Sequence, residues 1–431
     1  MQDQKQHQKQ HQKHYQKTPL KERILAPDVA RGLMLLGIAI ANVTTAWRMY
    51  SSAEAAAPDS FAIRLGQWAE ETFSTTTANA VTMFNALFVH SRGLPMFACL
   101  FGFGLGLLAL REHRRGTTWP DCCKLMVRRY GWLLLIGLVH MLFLFWGDII
   151  FTYSLLGLVL IFLVPLRDKI LLRIAAGLAL LQVVINFVFG SVGEELMYSQ
   201  GSDYSQSPAM ANNDMGIVSD ATNYFSSQVL SGVFGVFGQL FVLFISGAGL
   251  MALMIFGLVA ARSGWFTQAA DHLKLLVGMT IAGVIAAVAG GIPVGLATIN
   301  EQPNGFFDAW TMTTGLIAGP GAIALATLIT LPAQKKIGAA ARQGEFLGAP
   351  WWLWPFQAVG QRSMSCYIGQ SVILLPLASA WGLNILADAD VVLATLVGIV
   401  VWLVTAICAC VLAKCQKQGP MEALHRKLTY R

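Results

Sequence analysis

A chain of 431 residues that is 55% hydrophobic and only 12% charged is too apolar for a soluble domain, where about a quarter of the residues carry charge. Several apolar runs exceed the roughly 18 residues that mark a membrane span, and they lack the alternation of an outer-membrane barrel. The fold class expected is all-α, a polytopic helical membrane protein. Its formal net charge of +7 reads as Lys and Arg collected in cytoplasmic loops rather than as a surface for nucleic acid, so the bilayer is the first partner.

In chain order, residues 1–20, MQDQKQHQKQHQKHYQKTPL, form a polar low-complexity tail that cannot bury enough apolar surface to fold. No role is required of it; loose attraction to anionic lipid and metal binding through His7, His11 and His14 are the alternatives. No cleavable signal peptide is expected, because no short apolar core precedes a small-residue cleavage site. The first span runs from about Leu33 to Trp47. Residues 61–90 read as an amphipathic or apolar helix lying at the outer interface, ended by HSRGLP from His90 to Pro95, after which an apolar helix continues to about Leu110. A strongly basic loop follows, Arg111 to Arg129. Further spans are expected at 130–146, 149–165, 170–190, 232–260, 273–298, 308–331, 364–383 and 391–413.

Charge sets the topology. The Lys-rich N-terminus and the Arg111–Arg129 loop both belong inside, which permits only two crossings between them. Arg167, Lys169, Arg173, Arg262, Lys335, Lys336, Arg342 and the basic C-terminus then fall inside as well. The 191–228 loop, with Glu194, Glu195, Asp203, Asp214 and Asp220, falls outside. The result is about ten transmembrane helices with both termini cytoplasmic. The organisation expected is a tail over 1–20, an N-terminal bundle over 21–260 that includes the interfacial helix and the outer loop, and a C-terminal transmembrane region over 261–431. The seven cysteines fall in no outer loop, so structural disulfides are not expected. Cys122-Cys123 and Cys408-x-Cys410 lack zinc-site spacing, and no metal is expected.

Ionisable residues inside spans are costly and mark function. Asp28 and Arg31 share one helix face at the cytoplasmic entrance of the first span. They form an interfacial ion pair, or Arg31 offers its guanidinium fork to an anionic headgroup. Asn42, deeper in the same span, suits an interhelical hydrogen bond. His90 and Arg92 stand in the outer break, as snorkelling anchors or facing an acceptor. His140 is a membrane-buried imidazole with the chemistry of a general base. Asp148, after Gly147, suits a turn and a helix N-terminus. Continuous helix would put these two about 12 Å apart, so they can meet only if the turn folds Asp148 back, or through a water or a substrate. Tyr153 follows as a hydrogen-bond donor. Arg362, Ser365, Cys366, Tyr367, Gln370 and Ser371 open the ninth span from the cytoplasmic side, as caps and small-residue packing or as cofactor contacts. No G-x-S-x-G, H-E-x-x-H, phosphate-binding loop or dinucleotide fingerprint is present.

The segments DVARGLMLLGIAIAN (Asp28–Asn42), LPMFACLFGFGLGL (Leu94–Leu107), RRYGWLLLIGLVHMLFLFWGDIIFTYSLLGL (Arg128–Leu158), GQRSMSCYIGQS (Gly360–Ser371) and GPMEALHRKLTY (Gly419–Tyr430), in this order, resemble the YeiB-like bacterial membrane proteins, whose C-terminal half defines domain of unknown function 418. Cys366 departs from the Asn common there, and Arg92 only loosely represents a basic residue before the LFG segment. That family is similar to the transmembrane acyltransferases, including the lysosomal enzyme that acetylates heparan sulfate, which also open with a D-x-x-R-G helix. The resemblance implies transfer of an acyl group from cytoplasmic acyl-CoA, acetyl-CoA among them, to an extracytoplasmic envelope acceptor, a glycan, lipid or small molecule, across a bacterial cytoplasmic membrane. Arg31 and Arg362, with Asp28, Ser365 and Tyr367, would then hold the co-substrate. His140, or else His90, would be the base, Asp148 its partner, and Tyr153 or Asn42 the oxyanion donor. A transporter or flippase of an envelope lipid or metabolite is the alternative, and a non-catalytic membrane partner protein the third reading. Oligomeric state is left open.

Overall fold

The computed structural model describes residues 24–199 and 223–430, apart from residues 54, 303, 344 and 346. The expected tail and the acidic middle of the 191–228 loop lie outside the described residues. Every regular element among the described residues is helical. In chain order these are α1 (Leu25–Thr44), α2 (Phe61–Thr72), α3 (Thr75–Phe84), α4 (Gly93–Arg114), α5 (Trp119–Phe143), α6 (Ile149–Leu163), α7 (Asp168–Ser199), α8 (Leu230–Arg262), α9 (Leu273–Ile299), α10 (Gly305–Arg342), α11 (Trp354–Gly360), α12 (Ser363–Ala378), α13 (Val391–Lys414) and α14 (Pro420–Thr429).

The chain is a polytopic helical membrane protein. Among the described residues eight segments are long and apolar enough to cross a membrane, and two more apolar helices, α6 and α12, are shorter. Phe162, Leu180, Phe244, Ile285 and Ile407 all stand exposed on the flanks. In water such a girdle would drive aggregation; against lipid it is the favourable surface. Since lipid tails are as apolar as leucine, the helices are held by close packing through small residues. A Cβ on Gly102 of α4 would run into the Met254 carbonyl of α8, and one on Gly257 of α8 into the Cys99 carbonyl of α4.

The structure divides the helix expected over residues 61–90. Only α2 has a strongly amphipathic outer character, with Ala62, Gly66 and Ala69 on its buried side. Residues from Thr75 onward belong to one 40-residue apolar segment, Thr75–Arg114, broken in the middle. Its first half packs through Ala86 and Leu87 against Gly291 of α9, and through Met83 against Gly295. Those glycines make room for the end of this stretch, where Asn85, Ala86 and Val89 are buried, whereas no residue of Thr75–Phe84 is.

The break is held by Arg92, buried rather than snorkelling. Its guanidinium donates to the carbonyls of Leu87 (3.3 Å), Thr311 (3.1 Å) and Ala287 (3.1 Å), and to the hydroxyls of Thr314 and Thr311 (3.3 Å each). Ala287 and Thr311 lie inside α9 and α10, so these bonds are additional to the helices' own and tie the break to both neighbours while satisfying the buried guanidinium. Arg92→Met is expected to destabilise the protein by roughly 3 kcal/mol, read as a lower melting temperature in detergent. An unchanged midpoint would remove Arg92 from this role.

Charges separate the two ends of the bundle. One end gathers the start of α1, the α4–α5 connection, the ends of α8, α10 and α13, and α14. There Arg262 ties the α6–α7 turn by donating to the carbonyls of Leu166 (2.9 Å) and Val164 and to Asp168 (2.9 Å). The opposite end is capped by a short 3-10 turn, Ala46–Tyr50, which accepts at the Tyr50 carbonyl from Ala380 N–H (2.8 Å), and by paired bonds between Ser52 and Asn384.

Candidate functional site

His140 and Asp148 meet directly. Helix α5 stops where the His140 carbonyl accepts from both Leu144 N–H (2.8 Å) and Phe145 N–H (3.0 Å). The chain reverses over Phe145–Gly147, and Asp148 caps α6 by accepting from Phe151 N–H at 2.6 Å through Oδ2. Its other oxygen, Oδ1, lies 2.7 Å from His140 Nδ1. The distance expected along a continuous helix is cancelled by the reversal. Two glycines make the geometry fit. Gly147 has no positive φ; its missing side chain leaves room for the Phe145 ring, 2.9 Å from where a Cβ would be. On α5, a Cβ at Gly137 would strike the Phe151 backbone nitrogen and approach Asp148 Oδ2 to 2.9 Å.

Both side chains are buried, 2% exposed for His140 and 0% for Asp148. With Nδ1–H donating to the carboxylate, Nε2 is left as the acceptor nitrogen, an assignment set by the hydrogen bond. Among the described residues Nε2 has no partner. The imidazole is tilted against Tyr367, centroids 5.2 Å apart.

A cavity of about 460 Å³ leads toward this pair from the basic end. Around its mouth stand Arg111, Arg115, Arg129, Arg426 and Tyr430, with Arg31 and Glu422 in the wall; Phe97, Phe101, Leu133 and Ile150 line the throat; Tyr153 and Tyr367 lie at its aromatic end. The buried carboxylate of Glu112 organises the mouth, accepting from Arg111 Nε (3.2 Å), Arg115 Nη1 (3.1 Å) and Thr117 Oγ1 (3.1 Å). Arg111 also donates to the Tyr430 hydroxyl at 3.1 Å. Helix α14 forms the remaining wall. Its Glu422 caps α12, accepting from the N–H groups of Met364 (2.8 Å) and Ser365 (3.1 Å) and from the Ser365 hydroxyl. His425 donates through Nε2 to the Arg129 carbonyl, 2.9 Å. Burial, with the Arg129 charge beside it, lowers the His425 pKa to about 4, so at neutral pH the imidazole is uncharged and the arginines carry the positive charge of the mouth. At the far side of His140 the site is closed by Trp47, stacked on Phe145 at 4.7 Å and tilted against Tyr50 at 4.8 Å.

Of the residues expected from the sequence, Arg31, Tyr153 and Tyr367 line the cavity. Asp28 pairs with Arg31 at 3.5 Å. His140 and Asp148 lie one side chain behind the cavity wall, where the Tyr367 hydroxyl accepts from Ile149 N–H at 3.3 Å. The Tyr153 hydroxyl is spent on the Leu94 carbonyl, 2.9 Å. Ser365 serves the Glu422 cap. Arg362 is turned elsewhere. Buried and outside the cavity lining, it donates to the Lys417 carbonyl (3.2 and 2.6 Å) and to the Ala358 carbonyl (3.2 Å), joining α11 to the α13–α14 connection. Asn42, half-buried in the last turn of α1, and His90, at the break before α4, are also absent from the lining. Sequence reasoning missed Arg111, Arg115 and Arg129 as site residues because their charge already had a topological explanation. It missed Gly137, whose position three residues before His140 on the same helix face is the one available signal.

Compared with known proteins, the chain is 24% identical over 432 residues to "Uncharacterized protein YxaH" of Bacillus subtilis (strain 168), an alignment that covers 96% of each. Residues 260–431 match the family described as "Protein of unknown function (DUF418)". The matched region carries Tyr367 and the α14 wall of the cavity, so the similarity to that family extends to one side of the site.

Proposed function

We propose that the protein is a membrane acyltransferase of the bacterial cytoplasmic membrane, taking an acyl group from acyl-CoA at the basic, cytoplasmic end and passing it to an extracytoplasmic envelope acceptor. One observation carries the reading: a buried His–Asp pair with a free Nε2 sits directly behind the aromatic end of a cavity whose mouth is ringed by arginines. Guanidinium groups suit the phosphates of CoA, and the apolar throat suits a pantetheine arm and thioester. In this reading Arg111, Arg115 and Arg129 take the phosphates with Arg31, a role the sequence assigned to Arg31 and Arg362. His140 Nε2 removes the proton from an acceptor hydroxyl or amine; the acceptor atom bonds to the thioester carbon, the C–S bond breaks, and the leaving thiolate takes the proton back from His140. Asp148 holds the tautomer and balances the imidazolium charge. The Tyr367 hydroxyl, accepting from Ile149 N–H and with its own proton to give, is the nearest oxyanion donor. Tyr367 also separates the cavity from His140, so its side chain must swing for the two to connect.

The cavity is open toward one end and closed by Trp47, Tyr50 and Phe145 on the other, which is equally the shape of an inward-facing carrier. The two readings separate on chemistry: an acyltransferase releases free CoA thiol in proportion to acylated acceptor, and a carrier releases none.

The first test is binding of CoA and acetyl-CoA to the detergent-purified protein. Arg111→Ala/Arg129→Ala is expected to weaken binding at least about tenfold, since charge-assisted bonds contribute about 1.5–3 kcal/mol each. Arg362→Ala, folded protein permitting, should leave it near wild type. Equal affinity across the series would reject the arginine mouth as the CoA site.

A further inference from the structure

We infer that the basic end carries a second binding site, separate from the first cavity, for the headgroup of an anionic phospholipid. A groove of about 310 Å³ runs along one face of α10 from Thr327 through Leu331 and Gln334 to Arg342, and it shares no lining residue with the first cavity. Its opposite wall is the connection Phe266–Ala270 between α8 and α9, together with Ile24 and Ala26 at the start of α1.

The groove changes character along its length. At the inner end the hydroxyls of Thr327 and Thr330 donate to their own helix, to the carbonyls of Ile323 (2.7 Å) and Ala326 (2.8 Å). Their polar atoms are thereby occupied, and the wall there is completed by Leu331, the buried Phe266 and Ala26. At the outer end stand Gln334, Lys335 and Arg342. Lys335 and Arg342 are exposed, and neither makes an ion pair among the described residues. No Asp or Glu lines the groove. The first cavity differs, because Arg111 and Arg115 there already share Glu112.

An apolar inner end joined to a rim with two uncompensated cations fits an amphiphile with an anionic head. Position favours a lipid over a dissolved anion. Helix α10 has 38 residues and is about 57 Å long, well beyond a hydrocarbon core of about 30 Å, so its last turns emerge at headgroup level. Lys335 and Arg342 are two turns apart, about 10.5 Å along the axis, and each long side chain can bend toward that level. A phosphodiester would lie against Lys335 and Arg342, and the first part of an acyl chain against Leu331 and Phe266.

The test uses the full chain in neutral detergent, with phosphatidylglycerol, phosphatidylcholine and inorganic phosphate as probes. Lipid retention is read by native mass spectrometry and thermal midpoint. Saturable retention of phosphatidylglycerol over phosphatidylcholine is expected, weakened about 30-fold in Lys335→Gln/Arg342→Gln. It should be unaltered in Lys336→Gln, which removes a neighbouring exposed cation that does not line the groove. The double variant should keep its midpoint in the absence of lipid, since neither side chain is buried. Equal retention of the two lipids, equal loss in Lys336→Gln, or a wild-type response in the double variant would overturn the site. Inorganic phosphate stabilising as strongly as the lipid, and losing its effect in the same double variant, would reassign it to a free anion.

Discussion

His140→Gln abolishes acyl transfer while leaving the fold and CoA binding intact: this is the expected result if His140 is the base. A glutamine amide can still donate to Asp148, so the buried carboxylate keeps its partner and its bond to Phe151 N–H, but it cannot accept the acceptor proton. Loss of general-base catalysis is expected to lower turnover about 10²–10⁴-fold, with KM for acyl-CoA little changed because His140 does not line the cavity. His140→Ala should lose as much activity and more stability, since it leaves Asp148 Oδ1 buried without its partner. Turnover retained in the glutamine variant would remove His140 from the chemistry. It would leave His90, the other imidazole considered from the sequence, to be tested in the same assay.

The second large effect is expected from a residue that touches no substrate. Gly137→Ala adds one methyl group to α5 at the point where α6 begins. The added carbon would collide with the Phe151 backbone and lie 2.9 Å from Asp148 Oδ2. Backbone cannot move aside as a flexible side chain can, so α6 must shift, and the 2.7 Å bond from His140 to Asp148 opens with it. Overpacking of this kind costs about 1–3 kcal/mol. A displacement of about 1 Å at a catalytic pair costs on the order of 10²-fold in rate. The measurement is turnover beside thermal midpoint for Gly137→Ala and for Gly131→Ala, a glycine on the same helix with open space where its Cβ would be. Only the first should lose activity; equal activity in both would show that the close approach of α5 and α6 does not govern the pair.

Much of the architecture was legible in the residue order, because membrane helices announce themselves by composition. Runs such as Val391–Lys414 need no tertiary information to be recognised, since no other structure satisfies the backbone of so long an apolar segment in lipid. Asp148, followed by an apolar run, also marks a helix start by local chemistry, and it acts as the N-cap of α6. Residues 75–89 were harder. Whether a moderately apolar helix lies on the membrane or inside the bundle depends on whether another helix offers it a glycine face, and Gly291 and Gly295 are about 200 positions away in the chain.

The candidate site divides in the same manner. Intramembrane cost singled out His140, Asp148, Arg31 and Tyr367 together with Asn42, His90, Arg92 and Arg362, each with a capping, packing or anchoring role as its alternative. That His140 and Asp148 bond to each other, that Arg362 is consumed by the Lys417 carbonyl, and that three arginines of the basic loop ring one cavity are consequences of a chain reversal and of α14 folding across the bundle end. By itself the sequence determined the membrane class, the helices and the residues too polar for lipid, because these follow from transfer energies of short segments. Only the tertiary structure decided which of those residues meet, because hydrogen bonds form over about 3 Å while the partners are set by packing between helices far apart in the chain.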